Sequence, residues 1–579
     1  MKYLKYIAIV SLLGFSSCSK DFLGNDFLVK EPLDQLSDPA FWSSENNVRT
    51  YTYGFYNSYF KGYGKNNTWG IYFSGQSLND DFAPTSPAEF TLNVPTSGGG
   101  WSPALPTSQT VAGTKSYYSR IRKANQFIES VPIAPISEEA KNHWSGIGRF
   151  FRALEYANFV NSFGDVPYID HVMTENDADL YRNKDSRTFV MDKVLADFKF
   201  AAENVRAADG ADKQAVNKYV VLAYMSRVFL FEGTWLKYHD IDKEKAKAYL
   251  EASKWASEEI IKSGKFSLGS DYRALFSSES LVGHSEMILF KEYVNGVLQH
   301  ALMSYNNKEA QSGISKDAID NYLAKDGLPI GKSKVYKGDL SVGDVLANRD
   351  GRLSAIVVPE LRLMSVVANY SSSGYSTRKF LNDKLKDDVL GSSYLNITDA
   401  PILRYGEVLV NYAEAAAELG ILTQQDLDIS INKLRSRNGV DLPALQIIGD
   451  NPAVEGVIYD DPKRDADVSS IIWEVRRERR SELIFEGLRL DDLRRWKKLT
   501  YADTDKHPSI NRGAYLDLSK YPNGLKGVFV DGDGIKGYII PSFVNKRVVL
   551  DKYYLNPIPI DQIALYADHG VTLNQNPGW

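Results

Sequence analysis

A mainly α-helical fold is predicted for this chain by three observations. Long stretches repeat apolar residues at helical spacing, several of them behind a capping Ser. Most of these stretches are joined by short turns, which lays successive helices against one another in antiparallel pairs. The segments between them that lack the spacing are rich in Gly, Asn, Ser and Pro. Paired helices of about 15 to 25 residues are the unit of tetratricopeptide-type solenoids, although no fixed repeat of about 34 residues is legible.

The N-terminus stands apart from this array. "MKYLKYIAIVSLLGFSSC" places Lys2 and Lys5 before an apolar segment over 6–15, then Ser16 and Ser17 before Cys18, the layout of a secretory signal. The run is too short to span a bilayer, and no later stretch approaches the roughly 20 apolar residues of a transmembrane helix. Cys18 is the single cysteine. Its setting resembles the bacterial lipobox, in which cleavage precedes the cysteine and the thiol carries diacylglycerol; Phe15 stands where that motif usually has leucine. The competing reading is an ordinary secretory signal followed by a free thiol. The expected organisation is a signal peptide over 1–17, a lipidated tether over 18–30 and a single domain over 31–579. With one cysteine there is no internal disulfide, and cysteine-based metal sites or catalysis are excluded from the body. Acyl chains contribute about 0.8 kcal/mol per buried CH₂, enough for a diacylated cysteine to hold the protein on a membrane.

Behind the tether, "SSENNVRTYTYGFYNSYF" (43–60) opens with a Ser cap and an acid in the first turn, then runs at helical spacing. The stretch 61–114 is too irregular for one regular element. Helices are predicted at 115–130, at 137–162 behind Ser137, and at 187–206, 214–236 and 242–263. From 266 to 396 the pattern breaks into short alternating stretches such as "HSEMILFKEYV" and Gly-containing turns. Helices return at 402–419, 424–438 and 467–498, and "GVFVDGDGIKGYIIP" (527–541) reads as strand, Gly-rich turn and strand.

Composition narrows the function. Loss of residues 1–17 removes two lysines and no acid, moving the formal charge from -5 to -7, so nucleic acid is not an expected partner. The chain holds 35 Tyr and 9 Trp, side chains with an apolar face and a polar handle. Sugars match them, with C–H groups on the ring faces and hydroxyls around the rim. Aromatic-rich packing is the alternative reading of the same numbers.

The local motifs are structural. "DGDG" (531–534) continues to Ile535 where a calcium loop needs an oxygen ligand, so a hairpin turn is expected. "IGKSK" (330–334) has Asp326 where a P-loop requires glycine. In "EVRRERRSELIFEGLRLDDLRRW" (474–496), Glu474, Glu478 and Glu482 lie four apart with arginines between, a pattern of ion pairs within and between helices. Ile472, Val475, Leu483 and Ile484 supply its packing positions. There is no HExxH and no GxSxG; a glycosidase needs only two suitably spaced carboxylates, which 73 acids leave open.

Taken together, "SFGDVPYI" (162–169), "NDADLYRNKDSRT" (176–188), "YLAKDGLPI" (322–330), "NRDGRL" (348–353), "DAPILRYGEVLVNYAEAAAELG" (399–420), "INKLRSRNGV" (431–440), the Arg-rich stretch and the closing "LNQNPGW" resemble the SusD/RagB family, surface glycan-binding lipoproteins of Bacteroidetes that cap a TonB-dependent transporter. Tyr181 stands where that family often has proline, and Gly406 where alanine is common. The resemblance implies one domain of about four tetratricopeptide-like helical pairs, with long irregular loops and short β-hairpins packed on one side and carrying the ligand site. It also implies binding of an oligo- or polysaccharide without catalysis, no cofactor, and a SusC-like outer-membrane transporter as partner.

Because the family places ligand contacts in variable loops, the resemblance directs attention to the first insert. Trp69 and Trp101 are candidate platforms, Tyr72 an accessory ring, and Asn79, Asp80 and Asp81 candidate hydroxyl readers; Tyr293, Tyr305 and Tyr375 are further candidates from the broken middle. Against this, loop aromatics also plug cores from outside and adjacent acids also cap turns. Trp144, Trp235, Trp255, Trp473 and Trp496 lie in helical patterns and are assigned to the core. A surface glycoside hydrolase and a helical scaffold that binds protein remain the alternatives.

Overall fold

The structure, a computed structural model, describes residues 41–64, 78–87, 89–90, 93–97, 101, 117–210, 212–308, 313–543 and 547–579. Helix α1 (Glu45–Tyr59) starts where the Ser44 hydroxyl accepts the Asn47 N–H. Helices α2 (Tyr117–Ser130), α3 (Glu138–Phe163), α4 (Arg187–Asn204), α5 (Lys218–Tyr238) and α6 (Lys243–Lys262) follow. Ser137, Ser186, Asn217 and Asp242 cap α3 to α6, each side chain accepting an N–H that the first turn leaves without a partner. Successive helices lie against one another from α2 through α6, and the array continues after the broken middle, where α8 (Tyr405–Glu418) packs on α6 and α9 (Ser470–Leu483) on α8. The short α7 (Lys316–Asn321) precedes them, and α10 (Arg489–Arg495) packs on α5. The molecule is mainly helical, in packed helical neighbours, as its spacing predicts.

Strands are few and short. Among β1 (Phe82–Ala83), β2 (Met287–Lys291), β3 (Gly313–Ile314) and β4 (Ala400–Arg404), β1 pairs with β3 and β2 with β4, both antiparallel. A meander follows over β5 (Gln446–Ile448), β6 (Asn451–Val454) and β7 (Val457–Ile458), and β8 (Tyr515–Asp517) pairs with β9 (Lys536–Tyr538). Two large hydrophobic cores stand out among the described residues, one between the helices and the other beneath the irregular segments, with three smaller clusters beside them. The β2–β4 pair joins the two large cores: Ile288, Leu289 and Leu403 enter the helical core, and Met287, Phe290 and Ala400 the other, the register shifts on either side of Leu289 breaking the simple alternation of a strand.

Four boundaries differ from the sequence reading. The helix expected over 467–498 is two, since Phe485 and Gly487 adopt positive φ (65° and 82°) and end α9 before α10. Residues 402–404 belong to β4 rather than to α8. The stretch 424–438 splits at Ser430, whose ψ of -95° is not helical. In the tail, β9 pairs mainly with β8, and the expected partner strand contributes one bridge, Val530 to Ile539; "DGDG" is the turn between them, Gly534 N–H donating to the Asp531 carbonyl at 3.3 Å. The C-terminal stretch is pinned to the end of α3 by Asn576, which donates to the Phe163 carbonyl at 2.9 Å.

Candidate functional site

One cavity among the described residues measures about 630 Å³, within the range of small-molecule sites. One wall is α7 with the loop that follows it to Asp339; the opposite wall is 461–465 with the start of α9; Arg489, Trp496, Tyr501 and His507 close a third side and Asp80 sits among them. The first insert reaches this place through α7. Ser315 Oγ accepts the Ala318 N–H to cap the helix and donates to the Asp80 carbonyl at 2.6 Å, beside the β1–β3 pair.

Helix α9 supplies the opposite wall by its periodicity. Trp473, Arg476, Arg477 and Arg480 fall at i, i+3, i+4 and i+7, one helix face, and all four line the cavity. The face turned away carries Glu478 and Glu482 into a fully buried ion cluster. Glu482 accepts from Arg404 at 2.7 Å, Arg437 at 3.0 Å and Arg352 at 3.1 Å, and Glu478 from Arg435 at 2.6 Å and Arg352 at 2.9 Å.

The aromatic groups are held by their polar tips. Trp473 Nε1 donates to Asp461 at 3.0 Å, and the Tyr501 hydroxyl to Asp465. Trp496, at the back, donates to Glu414 at 2.7 Å with the Arg476 guanidinium 4.4 Å over its ring. Tyr336 also lines the cavity, with the Arg349 guanidinium 5.3 Å from its ring centre. Such anchoring fixes ring planes before any ligand arrives.

The charges of the wall are paired. Arg480 contacts Asp81 at 2.9 Å, Asp317 at 2.8 Å and Asp80 at 3.3 Å; Arg489 contacts Asp80 at 2.6 Å. Lys316 bridges Asp320 at 2.9 Å and Asp339 at 2.8 Å, Lys463 reaches Asp320 at 3.1 Å, and Arg477 holds Asp461. Arg476 pairs with Glu418 at 3.0 Å and Asp465 with Lys498 at 2.9 Å. Burial raises the Asp80 carboxyl, but the Arg480 and Arg489 charges outweigh it and hold the group well below the carboxylate range. Asp81 goes the other way: burial, with the neighbouring Asp80 charge, pushes it up. For Asp339, Asp461 and Asp465 burial is likewise outweighed, by Lys316, Arg477 and the Tyr501 and Lys498 donors respectively, and each is lowered.

Two family models match the sequence. The model described as the SusD family matches residues 302–579, and one described as "Starch-binding associating with outer membrane" matches residues 27–230. The chain belongs to the SusD/RagB family. Among its relatives, the SusD-like protein P2 of Formosa agariphila is 23% identical over 392 residues, covering 66% of this chain and 70% of that protein. A SusD-like carbohydrate-binding protein from Bacteroides fragilis superposes with a TM-score of 0.65 at 20% identity, covering 90% of this chain and 98% of that one. The surface glycan-binding protein A of Bacteroides fluxus gives 0.58 at 18% identity, covering 93% and 100%. These superpositions establish the shared SusD fold. The family is carbohydrate-binding and outer-membrane-associated, and among the described residues of this member no helix is long and apolar enough to cross a membrane.

Within this SusD fold, one of the residues expected to bind, Asp80, lines the cavity. Asp81 is buried behind it, and Asn79 is turned inward, its side chain accepting the Asp81 N–H at 3.1 Å. The expectation that Trp101, Tyr293 and Tyr375 present rings to a ligand is corrected. Trp101 is 1% exposed and packs edge-on against Phe159 and Tyr566; Tyr293 donates its hydroxyl to the Tyr63 carbonyl inside the second core; Tyr375 is buried in the same core. A large ring in a loop gains more by leaving water than by waiting at the surface. Tyr305, half-buried on the short helix 302–308, does not line the cavity. Cys18, Trp69 and Tyr72 lie outside the described residues. Sequence reasoning missed Trp473, Tyr336 and Tyr501. Trp473 was assigned to the core, yet its spacing with Arg476, Arg477 and Arg480 was a signal that one α9 face is polar and shared. Trp255 also departs from the core assignment, at 41% exposed.

Proposed function

We propose that this SusD-family protein captures a nutrient oligo- or polysaccharide at the cell surface and passes it, uncleaved, to a SusC-like TonB-dependent transporter, held to the outer membrane by a lipid on Cys18. The observation that carries capture is the cavity, where Trp473, Tyr336 and Tyr501 lie among ion pairs that offer hydroxyls both donors and acceptors. The names of the B. fragilis and B. fluxus relatives, carbohydrate-binding and glycan-binding, support the same reading. Binding without cleavage is supported by the wall carboxylates: a glycosidase's general acid needs a raised pKa, and four of the six that line the cavity, Asp80, Asp339, Asp461 and Asp465, are lowered. The tether and the transporter rest on the Cys18 signal and on the family resemblance.

The test is calorimetric titration of the purified chain with plant, host and microbial polysaccharides, followed by a reducing-end assay. Saturable binding without new reducing ends is expected, and Trp473→Ala is expected to weaken it by about 1 to 3 kcal/mol, as for a desolvated anchor. Hydrolysis abolished by one carboxylate substitution would overturn the binding reading.

A further inference from the structure

The cavity wall is crowded with charge and yet offers none to a ligand. Each lysine and arginine lining it lies within 4.0 Å of a carboxylate, and each lining carboxylate within that distance of a cation. His507, the remaining basic side chain of the wall, stands edge-on to the Tyr501 ring, 5.5 Å between ring centres. We propose that the cavity selects uncharged glycan residues and rejects uronates and sulfated sugars, an inference that rests on the cavity being the glycan site.

The reason is the cost of separating buried pairs. A ligand carboxylate or sulfate must shed its water on entry and recover the loss from a cation. Every cation within reach is engaged, so recruiting one, Lys316 for example, leaves Asp320 or Asp339 with a charge uncompensated in a partly dry site. A neutral sugar breaks nothing. Its hydroxyls donate to the free lone pairs of paired carboxylates and accept from paired guanidinium N–H groups, while its ring faces meet the anchored aromatics. The negative net charge of the whole chain, -5 with residues 1–17 and -7 without them, opposes polyanions further.

The experiment uses pairs of polymers that differ only in charge: polygalacturonate and alginate against their carboxyl-reduced forms, and chondroitin sulfate, desulfated and carboxyl-reduced, against its native form. Neutral β-glucan, xylan, mannan and starch are titrated alongside, with the purified chain and with Trp473→Ala. Binding confined to neutral polymers is expected, with any acidic partner weaker by about tenfold or more. Asp320→Asn combined with Asp339→Asn releases Lys316 and should narrow that gap. An acidic polymer bound as tightly as its neutral form, with the binding weakened by Trp473→Ala, overturns the charge selection and leaves the site in place. Binding that Trp473→Ala leaves unchanged, or no binding by any polymer, overturns the cavity as the glycan site and the selection with it.

Discussion

Trp101 and Trp473 show how one side chain serves two purposes. The Trp101 indole is enclosed by helix α3 and the C-terminal segment, so Trp101→Ala is expected to cost about 3 to 5 kcal/mol of stability, read from denaturant unfolding. Trp473 keeps a face on the cavity while Asp461 holds its nitrogen, and its loss is expected in binding. The chemistry of His300 is fixed by burial. Its Nδ1 accepts the Leu302 N–H at 3.2 Å and its Nε2 donates to the Thr398 carbonyl at 3.0 Å, which sets the neutral Nε2–H tautomer. Burial pulls its pKa from 6.5 to about 3. The depressed value means that the unfolded chain takes the proton first, so the contribution is complete above pH 6.5 and is lost as pH falls toward about 3. Imidazole nitrogen shifts that stay those of the neutral tautomer at pH 5 are the expected observation; a midpoint near 6.5 would contradict the enclosure.

Helix α9 is the element on which site and scaffold meet. One face gives the cavity Trp473, Arg476, Arg477 and Arg480, and another gives the interior Glu478 and Glu482. Removing one member of a buried ion cluster leaves its partners charged and unpaired, so Glu482→Gln is expected to destabilise by about 3 to 5 kcal/mol in denaturant unfolding. The same cluster explains Gly406, where the family often has alanine. A β-carbon there would stand 2.2 Å from Arg404 Nη1 and 2.9 Å from Glu482 Oε1, and both groups are buried. Gly406→Ala is therefore expected to cost about 1 to 3 kcal/mol, as overpacking does, with the full effect seen only while Glu482 is intact. The charge alternation of 474–496 was legible as ion pairing, because a four-residue step keeps side chains on one helix face. Its partners were not legible: Arg352, Arg404, Arg435 and Arg437 come from three separate motifs.

Across the whole molecule, buried carboxylates make the fold sensitive to acid. For Glu414, burial would raise the carboxyl, but Arg495 and Arg479 outweigh it and bring it from 4.5 to about 2; Glu478, Glu482 and Glu486 are lowered on the same grounds. Groups with depressed folded pKa values contribute fully above the unfolded value and lose that contribution below it. The Tm is thus expected to fall modestly below pH 6.5 as His300 protonates in the unfolded chain, and steeply between pH 4.5 and about 2. A Tm that stays flat through that lower window would show that these pairs do not stabilise the fold. By itself the sequence determined the mainly helical class, most helix starts, the SusD/RagB family and the tether expectation, because caps, helical spacing and short motifs are properties of neighbouring residues. Only the tertiary structure decided which aromatics face a cavity and which fill a core, and that the wall is charge-balanced. Those properties depend on contacts such as Arg480 with Asp80, 400 residues apart in the chain, and no local pattern encodes a meeting at that distance.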